Sequence, residues 1–314
     1  MNKNDKKLDQ AARAAWMYYV AGQTQHEIAE ALGISRQVAQ RLVASAIESG
    51  LVSVHISHSV GNCMALEARL REAYGLSLCQ VVPAQGMSKT GLLHAIAVAG
   101  AQVMTQFIRR EASTIIGVGS GRTLKAAIDE LDDIERPQHS CVSLIGAIAY
   151  DGSCTRYDVP LLMAEKTQGR YFILPAPLFA DSEQDREGWC HHRIYRTVSE
   201  KASQADVTFT GIGTIGPDCP LHLDGFLSLE QVEKLNAAGA VGEMVGHFIG
   251  ADGQRIDSEL NARLTSVSLQ PKADKPVIAM AGGAEKHLAM RAALQGGWVS
   301  GLVTDELSAI AMLE

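Results

Sequence analysis

The sequence contains few cysteines, few aromatic residues and no excess of positive charge. Six cysteines are scattered over 314 residues without a Cys-x-x-Cys pair, which argues against a disulfide framework and a zinc ribbon. Aromatic residues make up 5% and hydrophobic residues 46% of the chain, as in a folded α/β protein. The net charge of −7 argues against a protein that coats nucleic acid through bulk electrostatics.

Membrane and metal signals are also missing from the sequence. The first residues lack the apolar core of a signal peptide, and the apolar stretch from Leu92 to Met104 is short enough to be a core helix. Cys190, His191 and His192 are adjacent, and three adjacent residues cannot all face one metal ion from a helix. We therefore expect a cytoplasmic protein with no membrane partner, no metal and no cofactor.

The length of the chain predicts about two domains. Residues 1–50 hold six basic and five acidic groups, so they carry a net charge of +1 and the remainder carries −8. If this weakly charged N-terminal part binds nucleic acid, it needs two copies or a good base-specific fit to hold a site, and we would then expect a homodimer or homotetramer.

Two short helices separated by a glycine are predicted near the N-terminus. Thr24 and Glu27 have the spacing of a capping box, so a helix can begin at Gln25. Gly33 can end that helix in a left-handed conformation and begin a turn. The apolar residues at helical spacing are Ile28, Ala29 and Leu32.

The second of these helices has a polar face suited to DNA. Ser35 can cap it, and it extends to about Ile47. Arginine reads guanine and glutamine reads adenine through paired hydrogen bonds, and a further arginine can neutralise phosphate. An ordinary surface helical hairpin would show the same spacing, and this alternative stays open. The candidate DNA-binding residues are Thr24, Gln25, Ser35, Arg36, Gln37, Gln40 and Arg41.

Two further elements complete a helix-turn-helix head of about sixty residues, a size at which a core alone is marginal. The stretch from Leu8 to Val20 predicts a helix, and the alternation from Gly50 to His58 predicts a short strand that could form a wing. We expect residues 1–58 to be the DNA-binding domain and residues 59–314 to bind an effector and form oligomers.

The second domain alternates short apolar strands with helical segments, which is typical of a parallel sheet in a three-layer α/β domain. The predicted strands are Leu78–Val82, Thr114–Val118, Cys141–Ile145, Tyr171–Leu174, Val207–Ile212, Val277–Ala281 and Leu302–Val303. Ligands of such sheets bind at the carboxyl ends of the strands.

Three of these strand ends are rich in glycine. The loop at Gly119, Ser120, Gly121, Arg122 and Thr123 offers backbone N–H groups, a helix N-terminus and a cation to a phosphate. Such turns also serve close packing, and this one is neither a Walker loop nor a dinucleotide fingerprint.

The other candidate effector contacts lie further along the chain. A lysine in the first turn of a helix opposes the helix dipole, which a bound anion or polyol would compensate, although a solvated surface lysine is the alternative. These candidates are Gly146, Gly211, Gly213 and Lys286.

With these residues in view, the chain resembles the SorC-type (SorC/DeoR) bacterial sugar-responsive transcriptional regulators over nearly its full length. The matching motifs are Thr24-Gln-x-Glu-Ile-Ala, Gly33-Ile-Ser-Arg36, Leu174-Pro-Ala-Pro177, Gly211-Ile-Gly213, Gly239-Ala-Val-Gly242, Leu260-Asn-Ala-Arg-Leu264, Ala281-Gly-Gly283 with Lys286, Gly296-Gly297 and Val303-Thr-Asp305.

The resemblance implies a helix-turn-helix head and an effector domain similar in fold to sugar-phosphate isomerases. It implies operator DNA as a partner, and a phosphorylated sugar or a sugar alcohol as the effector. Gly119–Thr123 would hold the phosphate, while Glu243 and Lys286 would contact hydroxyl or carbonyl groups. Relatives often carry Asp at position 243, so the effector of this chain cannot be inferred from theirs. They often carry Lys and Ser at the positions of Gln37 and Gln40, so the operator sequence cannot be inferred from theirs either.

We therefore predict a regulator, a repressor rather than an activator, of a carbohydrate or sugar-alcohol catabolic operon. An enzyme is the alternative, an aldose–ketose isomerase or deaminase in which Glu243 would shuttle a proton and Lys286 would stabilise an enediolate. A third interpretation treats the second domain as mainly an oligomerisation module.

Overall fold

Three helices make up the described part of the N-terminal unit. The computed structural model describes residues 3–52, 60–149, 151–153 and 158–314, and the chain divides into the units Met1–Ser57 and His58–Glu314. The helices are α1 (Lys3–Tyr19), α2 (Gln25–Leu32) and α3 (Arg36–Glu48). The predicted wing strand lies mostly outside the described residues, as does Cys154.

The core of this unit consists largely of alanine, which lets the helices approach closely. Its buried residues are Ala11, Ala14, Ala15, Ile28, Ala29, Ala39, Leu42, Val43 and Ala46. The predicted apolar face of α2 is confirmed at Ile28 and Ala29, whereas Leu32 is only partly buried.

The second unit alternates strands and helices along the chain. Its first half contains α4 (Val60–Tyr74), β1 (Leu78–Val82), α5 (Lys89–Ile108), β2 (Ile115–Val118), α6 (Arg122–Asp129), β3 (Ser140–Ile148), α7 (Val159–Thr167) and β4 (Arg170–Pro177). Its second half contains α8 (Glu183–His191), α9 (Arg193–Ser203), β5 (Val207–Gly211), α10 (Pro220–Leu223), α11 (Leu229–Ala237), β6 (Ala240–Met244), β7 (His247–Gly250), α12 (Glu259–Arg263), β8 (Val277–Met280), a 3-10 turn (Ala284–Lys286), α13 (His287–Gln295), β9 (Gly301–Asp305) and α14 (Glu306–Leu313).

Seven strands form one parallel sheet in the order β1-β9-β8-β5-β2-β3-β4. All seven predicted strands are present, with ends within a few residues of those expected. After β2, the chain adds β3 and β4 on one side of the sheet. After β5, it adds β8 and β9 on the other side, next to β1. The sheet therefore reverses its winding direction between β2 and β5, which is where open α/β sheets bind ligands.

Both faces of this sheet are covered, as the three-layer prediction requires. In β8, Ile278 and Met280 belong to a core shared with α5, α6 and α7, whereas Val277 and Ala279 belong to a core shared with α4, α9, α13 and α14. The alternation follows from the period of two along a strand, which sends neighbouring side chains to opposite faces.

Helix α5 is longer than the apolar stretch from which it was predicted. Among the described residues it is the one helix with the length and hydropathy to cross a membrane, and half of it is buried inside the unit. Its buried residues, including Ile96, Met104 and Phe107, pack against the sheet and α6. This packing explains the apolar composition of α5 by its place in the core.

The sequence patterns did not predict the antiparallel hairpin of β6 and β7. It lies in the long connection between β5 and β8, and Glu243 of β6 pairs with Phe248 of β7. Val245 and Gly246 form the turn with φ angles of 52° and 80°. Positive φ is costly for a β-branched residue, so the neighbouring structure must hold this turn in place.

Candidate functional site

The turn between α2 and α3 follows from local hydrogen bonds. The Thr24 hydroxyl accepts from the Glu27 N–H (3.3 Å), and the Glu27 carboxylate accepts from the Thr24 N–H (2.7 Å). The Thr24 N–H and the Thr24 hydroxyl, which also donates to this carboxylate (2.8 Å), lower the pKa of Glu27. Gly33 ends α2 with φ 65° and ψ 36°, and the Ile34 N–H reaches back to the Ala29 carbonyl (2.9 Å).

Helix α3 begins at Arg36, with Ser35 accepting a hydrogen bond from the Val38 N–H (3.3 Å). The opposite side of the helix packs into the alanine-rich core through Ala39 and Leu42. Four exposed residues form two adjacent rows with a spacing of four: Arg36 with Gln40, and Gln37 with Arg41. Neither arginine forms a side-chain ion pair with another described residue. This face therefore presents two cations and two amides to solvent, while Thr24 is exposed and Gln25 partly buried at the start of α2.

The candidate effector site begins where β2 ends. Gly119 donates its N–H to the Phe209 carbonyl of β5 (2.9 Å), and Gly121 begins α6 with φ 128° and without a side-chain cap. A methyl group on Gly211 would lie 3.5 Å from the Ser120 carbonyl oxygen. The loops after β2 and β5 thus lie side by side at the point where the sheet reverses. Arg122 is exposed on the first turn of α6 and Thr123 is buried.

The hairpin brings Glu243 to this edge of the sheet. Gly213 and Glu243 exchange two backbone hydrogen bonds, with N···O distances of 2.9 and 3.0 Å. A methyl group on Gly213 would lie 2.8 Å from Cδ of Glu243, so the carboxyl group covers this glycine. One carboxyl oxygen of Glu243 accepts the Gly246 N–H (2.9 Å) from the turn.

Charges from three distant parts of the chain meet at this edge. Burial raises the pKa of the Glu243 carboxyl, opposed by the Gly246 N–H and the charge of Lys286. Burial and the charge of Arg122 lower the pKa of the Lys286 amine, opposed by Glu243 and Glu285. Lys286 therefore interacts electrostatically with both Arg122 and Glu243.

Two expectations about these residues need correction. Lys286 is not in the first turn of a helix: it ends the 3-10 turn and precedes α13, and it is partly buried rather than a solvated surface lysine. Gly146 is buried in β3, where a methyl group would lie 2.6 Å from the Ala176 carbonyl oxygen of β4. Close packing of the two strands accounts for that glycine without a ligand.

A cavity of about 570 Å³ lies elsewhere in the unit and shares no residue with this edge. Its lining includes Phe179, Phe226, Lys234 and Arg263. Each of the two basic side chains forms an ion pair within its own helix: Lys234 lies 2.7 Å from Glu230, and Arg263 lies 3.5 Å from Glu259. The sequence patterns gave no sign of this cavity, because its lining residues come from separate turns and helices.

Both units of this chain are similar to known proteins. Residues 58–314 match the family model of a sugar-binding domain (Sugar-bind), and residues 10–58 match the MarR family model. The chain is 37% identical over 303 residues to the erythritol catabolism regulatory protein EryD of Brucella abortus (strain 2308), with 96% of each chain covered. It is 32% identical over 308 residues to the transcriptional regulator LsrR of Enterobacter sp. (strain 638), with 96% of this chain and 92% of the relative covered.

A solved structure is similar over both parts as well. The crystal structure of the full-length sorbitol operon regulator SorC from Klebsiella pneumoniae has a TM-score of 0.79 and 25% identity to the chain. The similarity covers 97% of this chain and 98% of that one.

Proposed function

The chain belongs to the SorC-type family of sugar-binding transcriptional regulators, and from that premise we propose that it is a repressor controlled by a phosphorylated polyol or sugar. It is a DNA-binding regulator of sugar catabolism. Its relatives and structural neighbours are transcriptional regulators and not enzymes, so the isomerase and deaminase alternatives are set aside.

One observation carries the proposed effector class: Arg122, Glu243 and Lys286 meet beside the uncapped N-terminus of α6. Arg122 is exposed at this helix end, whereas the charge of Lys286 is opposed by the carboxylates of both Glu243 and Glu285, so Arg122 and the helix N-terminus are the features that favour a phosphate over a neutral polyol. A phosphate monoester carries about −1.5 to −2 charges at neutral pH and fits the N–H groups of such a helix end. Glu243 can accept hydrogen bonds from hydroxyl groups, as a polyol or sugar requires.

The names of two similar proteins refer to polyols, erythritol for one and sorbitol for the other. We therefore define an effector panel of erythritol, sorbitol and the terminal phosphate monoester of each. A ligand that binds the native state raises the melting temperature, and a ligand that favours the low-affinity state releases operator DNA. The expected result is that a phosphorylated member does both and that its unphosphorylated form is much weaker.

Arg122→Ala tests the phosphate contact directly. It should abolish the preference for phosphorylated compounds, because it removes the exposed cation at the start of α6. Lys125→Ala is the matched control, since Lys125 lies one turn further along α6 and pairs with Asp129 (2.6 Å). A response confined to unphosphorylated polyols, or an equal loss in both variants, would refute the phosphate assignment.

For the head, we propose that α3 enters the major groove, with residues 1–58 as the DNA-binding domain and residues 59–314 as the effector-binding and oligomerisation domain. Arg36, Gln37 and Gln40 would read bases, while Arg41, Thr24, Gln25 and Ser35 would contact the backbone. The net charge of +1 over residues 1–50 favours two heads on two half-sites, hence a dimer or tetramer in the cytoplasm. Light scattering coupled to gel filtration, with and without operator DNA, measures this state; a monomer bound to DNA would contradict it.

A further inference from the structure

Asp305 is a fully buried carboxylate that the proposed function does not use. It is the last residue of β9 and caps α14. Its Oδ1 accepts the Ser308 N–H (2.9 Å), and its Oδ2 accepts the Ser308 hydroxyl (2.6 Å) and the Gly283 N–H (2.9 Å). Burying a carboxylate is unfavourable unless hydrogen bonds compensate the loss of hydration, and here three donors do so.

Two of these contacts are local to α14, but the third reaches the loop that carries Lys286. Gly282 in this loop lies so close that a methyl group there would overlap with Oδ2 and lie 3.4 Å from Cγ of Asp305. Gly283 follows with φ 97°, and its carbonyl accepts the Lys286 N–H (2.9 Å) to form the 3-10 turn. The position of Lys286 therefore depends on where Asp305 holds Gly283.

A second contact holds the loop on the other side of Lys286. His287 Nε2 lies 3.1 Å from the Ser308 hydroxyl oxygen. Since that hydroxyl donates its proton to Asp305, its oxygen accepts from His287 Nε2–H, and also from the Gly283 N–H (3.1 Å). Asp305 and Ser308 thus clamp the chain at Gly283 and at His287, the residues on either side of the turn that ends at Lys286.

Helix α14 links this clamp to the start of the unit. It packs against α4 through buried Ala309 and Met312, and the Tyr74 hydroxyl of α4 donates to the Met312 carbonyl (2.5 Å). Helix α4 begins at Val60, directly after residues 53–59, which join it to the head along the chain. Helix α14, which Asp305 caps, is therefore in contact with the helix that follows the head along the chain.

We propose that Asp305 is a positioning residue that holds the Lys286 loop in its effector-binding geometry and connects that loop through α14 to α4. The inference rests on the proposed function, because it takes Lys286 as an effector contact. Effector binding that moves the loop shifts the cap of α14, and this shift changes the packing of α14 against α4. Two packed helices with a hydrogen-bonded cap provide the contiguous structure that such coupling needs.

Hydrogen–deuterium exchange of the full-length protein without effector tests the clamp by itself. Asp305→Asn keeps one oxygen for the helix cap but presents an amide N–H to the Gly283 N–H. Exchange over residues 281–287 should become at least about tenfold faster. Glu306→Gln, which removes a charge from the adjacent residue of α14, should leave this segment unchanged. Wild-type exchange in Asp305→Asn would overturn the proposal.

A double-mutant cycle tests whether Asp305 acts through Lys286. The readout is the concentration of the most potent panel compound that releases half of the operator DNA. Lys286→Met and Asp305→Asn should each raise it at least about tenfold, whereas Asp305→Asn should add less than about threefold once Lys286 is absent. Glu306→Gln should leave both this concentration and the effector-free operator affinity within about twofold of wild type, which separates loss of the clamp from general damage to α14. Additive losses would overturn the proposal.

Failure of the proposed function has a different signature. If no panel compound releases DNA from the wild type, or if Lys286→Met responds normally, the effector assignment fails while the exchange experiment still decides the clamp. Ser308→Ala guards against an Asp305→Asn variant that does not fold, since it keeps the carboxylate and removes the hydroxyl between Asp305 and His287. It should change exchange over 281–287 and effector potency in the same direction, and wild-type values of both would count against the clamp.

Discussion

The carboxyl group of Glu243 lies over Gly213, so close that a methyl group on residue 213 would be 2.8 Å from Cδ of the glutamate. The two residues also exchange backbone hydrogen bonds (2.9 and 3.0 Å). Since Glu243 sits in a hairpin and Gly213 follows β5, this contact fixes the hairpin to the edge of the main sheet. It also decides which way the carboxyl group points.

Gly213→Ala should therefore displace the Glu243 side chain and weaken effector binding. We expect the effector concentration for half-release of operator DNA to rise at least about tenfold, the loss of one hydrogen bond to a charged group. Effector-free operator affinity should be unchanged. Gly216→Ala is the control, because a methyl group there meets no atom within 4 Å. Equal potency of the two variants would show that Glu243 does not contact the effector.

Arg36→Ala should remove sequence-specific DNA binding while leaving the effector response intact. A bidentate arginine–guanine contact contributes about 1–3 kcal/mol of discrimination, so operator affinity should fall about 5- to 150-fold by fluorescence anisotropy. The melting shift caused by the panel compound should persist, since Arg36 lies in the other unit. Arg13→Ala is the matched control, an exposed arginine of α1 paired with Asp9 (3.2 Å). Loss of both DNA binding and the melting shift would contradict the division of roles.

Lys286→Met should stabilise the effector-free protein. The pKa of Lys286 is lowered in the folded state by burial and by Arg122, so folding disfavours its charged form. The sign follows: a lowered amine pKa means that stability rises as pH increases through the folded and then the unfolded pKa, and at neutral pH the charge is a cost. Calorimetry should show a higher melting temperature, by roughly 2–4 °C per kcal/mol gained. Lys125→Met, at an exposed ion pair, should show no gain, and a lower melting temperature for Lys286→Met would contradict the argument.

His247 should make the protein less stable in mild acid. Burial, Arg255 and Arg186 lower its pKa to about 4, while its contact with the Val267 carbonyl opposes the shift. As pH falls below about 6.5, His247 becomes protonated in the unfolded chain, whereas in the folded chain it stays neutral until about pH 4. The free energy of unfolding therefore decreases between these pH values, by at most about 1.4 kcal/mol per pH unit. Urea unfolding at pH 7 and pH 5 measures the loss, and His247→Gln should reduce it. An identical loss in the variant would exclude His247 as the cause.

Much of the site could be predicted because its parts are local in sequence. Each glycine-rich loop directly follows a strand, so Gly119–Thr123, Gly211–Gly213 and the Lys286 loop were expected at one edge of the sheet. The contacts of Gly146 with Ala176 and Pro177 show why such a position is hard to interpret, because a glycine required for strand packing looks the same in a sequence as one required by a ligand. The β6–β7 hairpin was not predicted from the sequence. Val245 and Gly246 stand between two apolar runs, but a turn with valine at positive φ is one that the local preferences of turn residues disfavour.

The sequence by itself determined the two helices of the head, their caps at Thr24 and Ser35, and the seven strands of the sheet. These features depend on hydrogen bonds between residues three or four positions apart and on the period of apolar side chains, which one segment carries alone. Only the tertiary structure decided that Glu243 covers Gly213, that Lys286 is partly buried where the charges of Arg122 and Glu243 act on it, and that Asp305 holds Gly283. Those contacts join residues far apart in the chain, and they form only when the order of strands in the sheet and the packing of the hairpin bring them together.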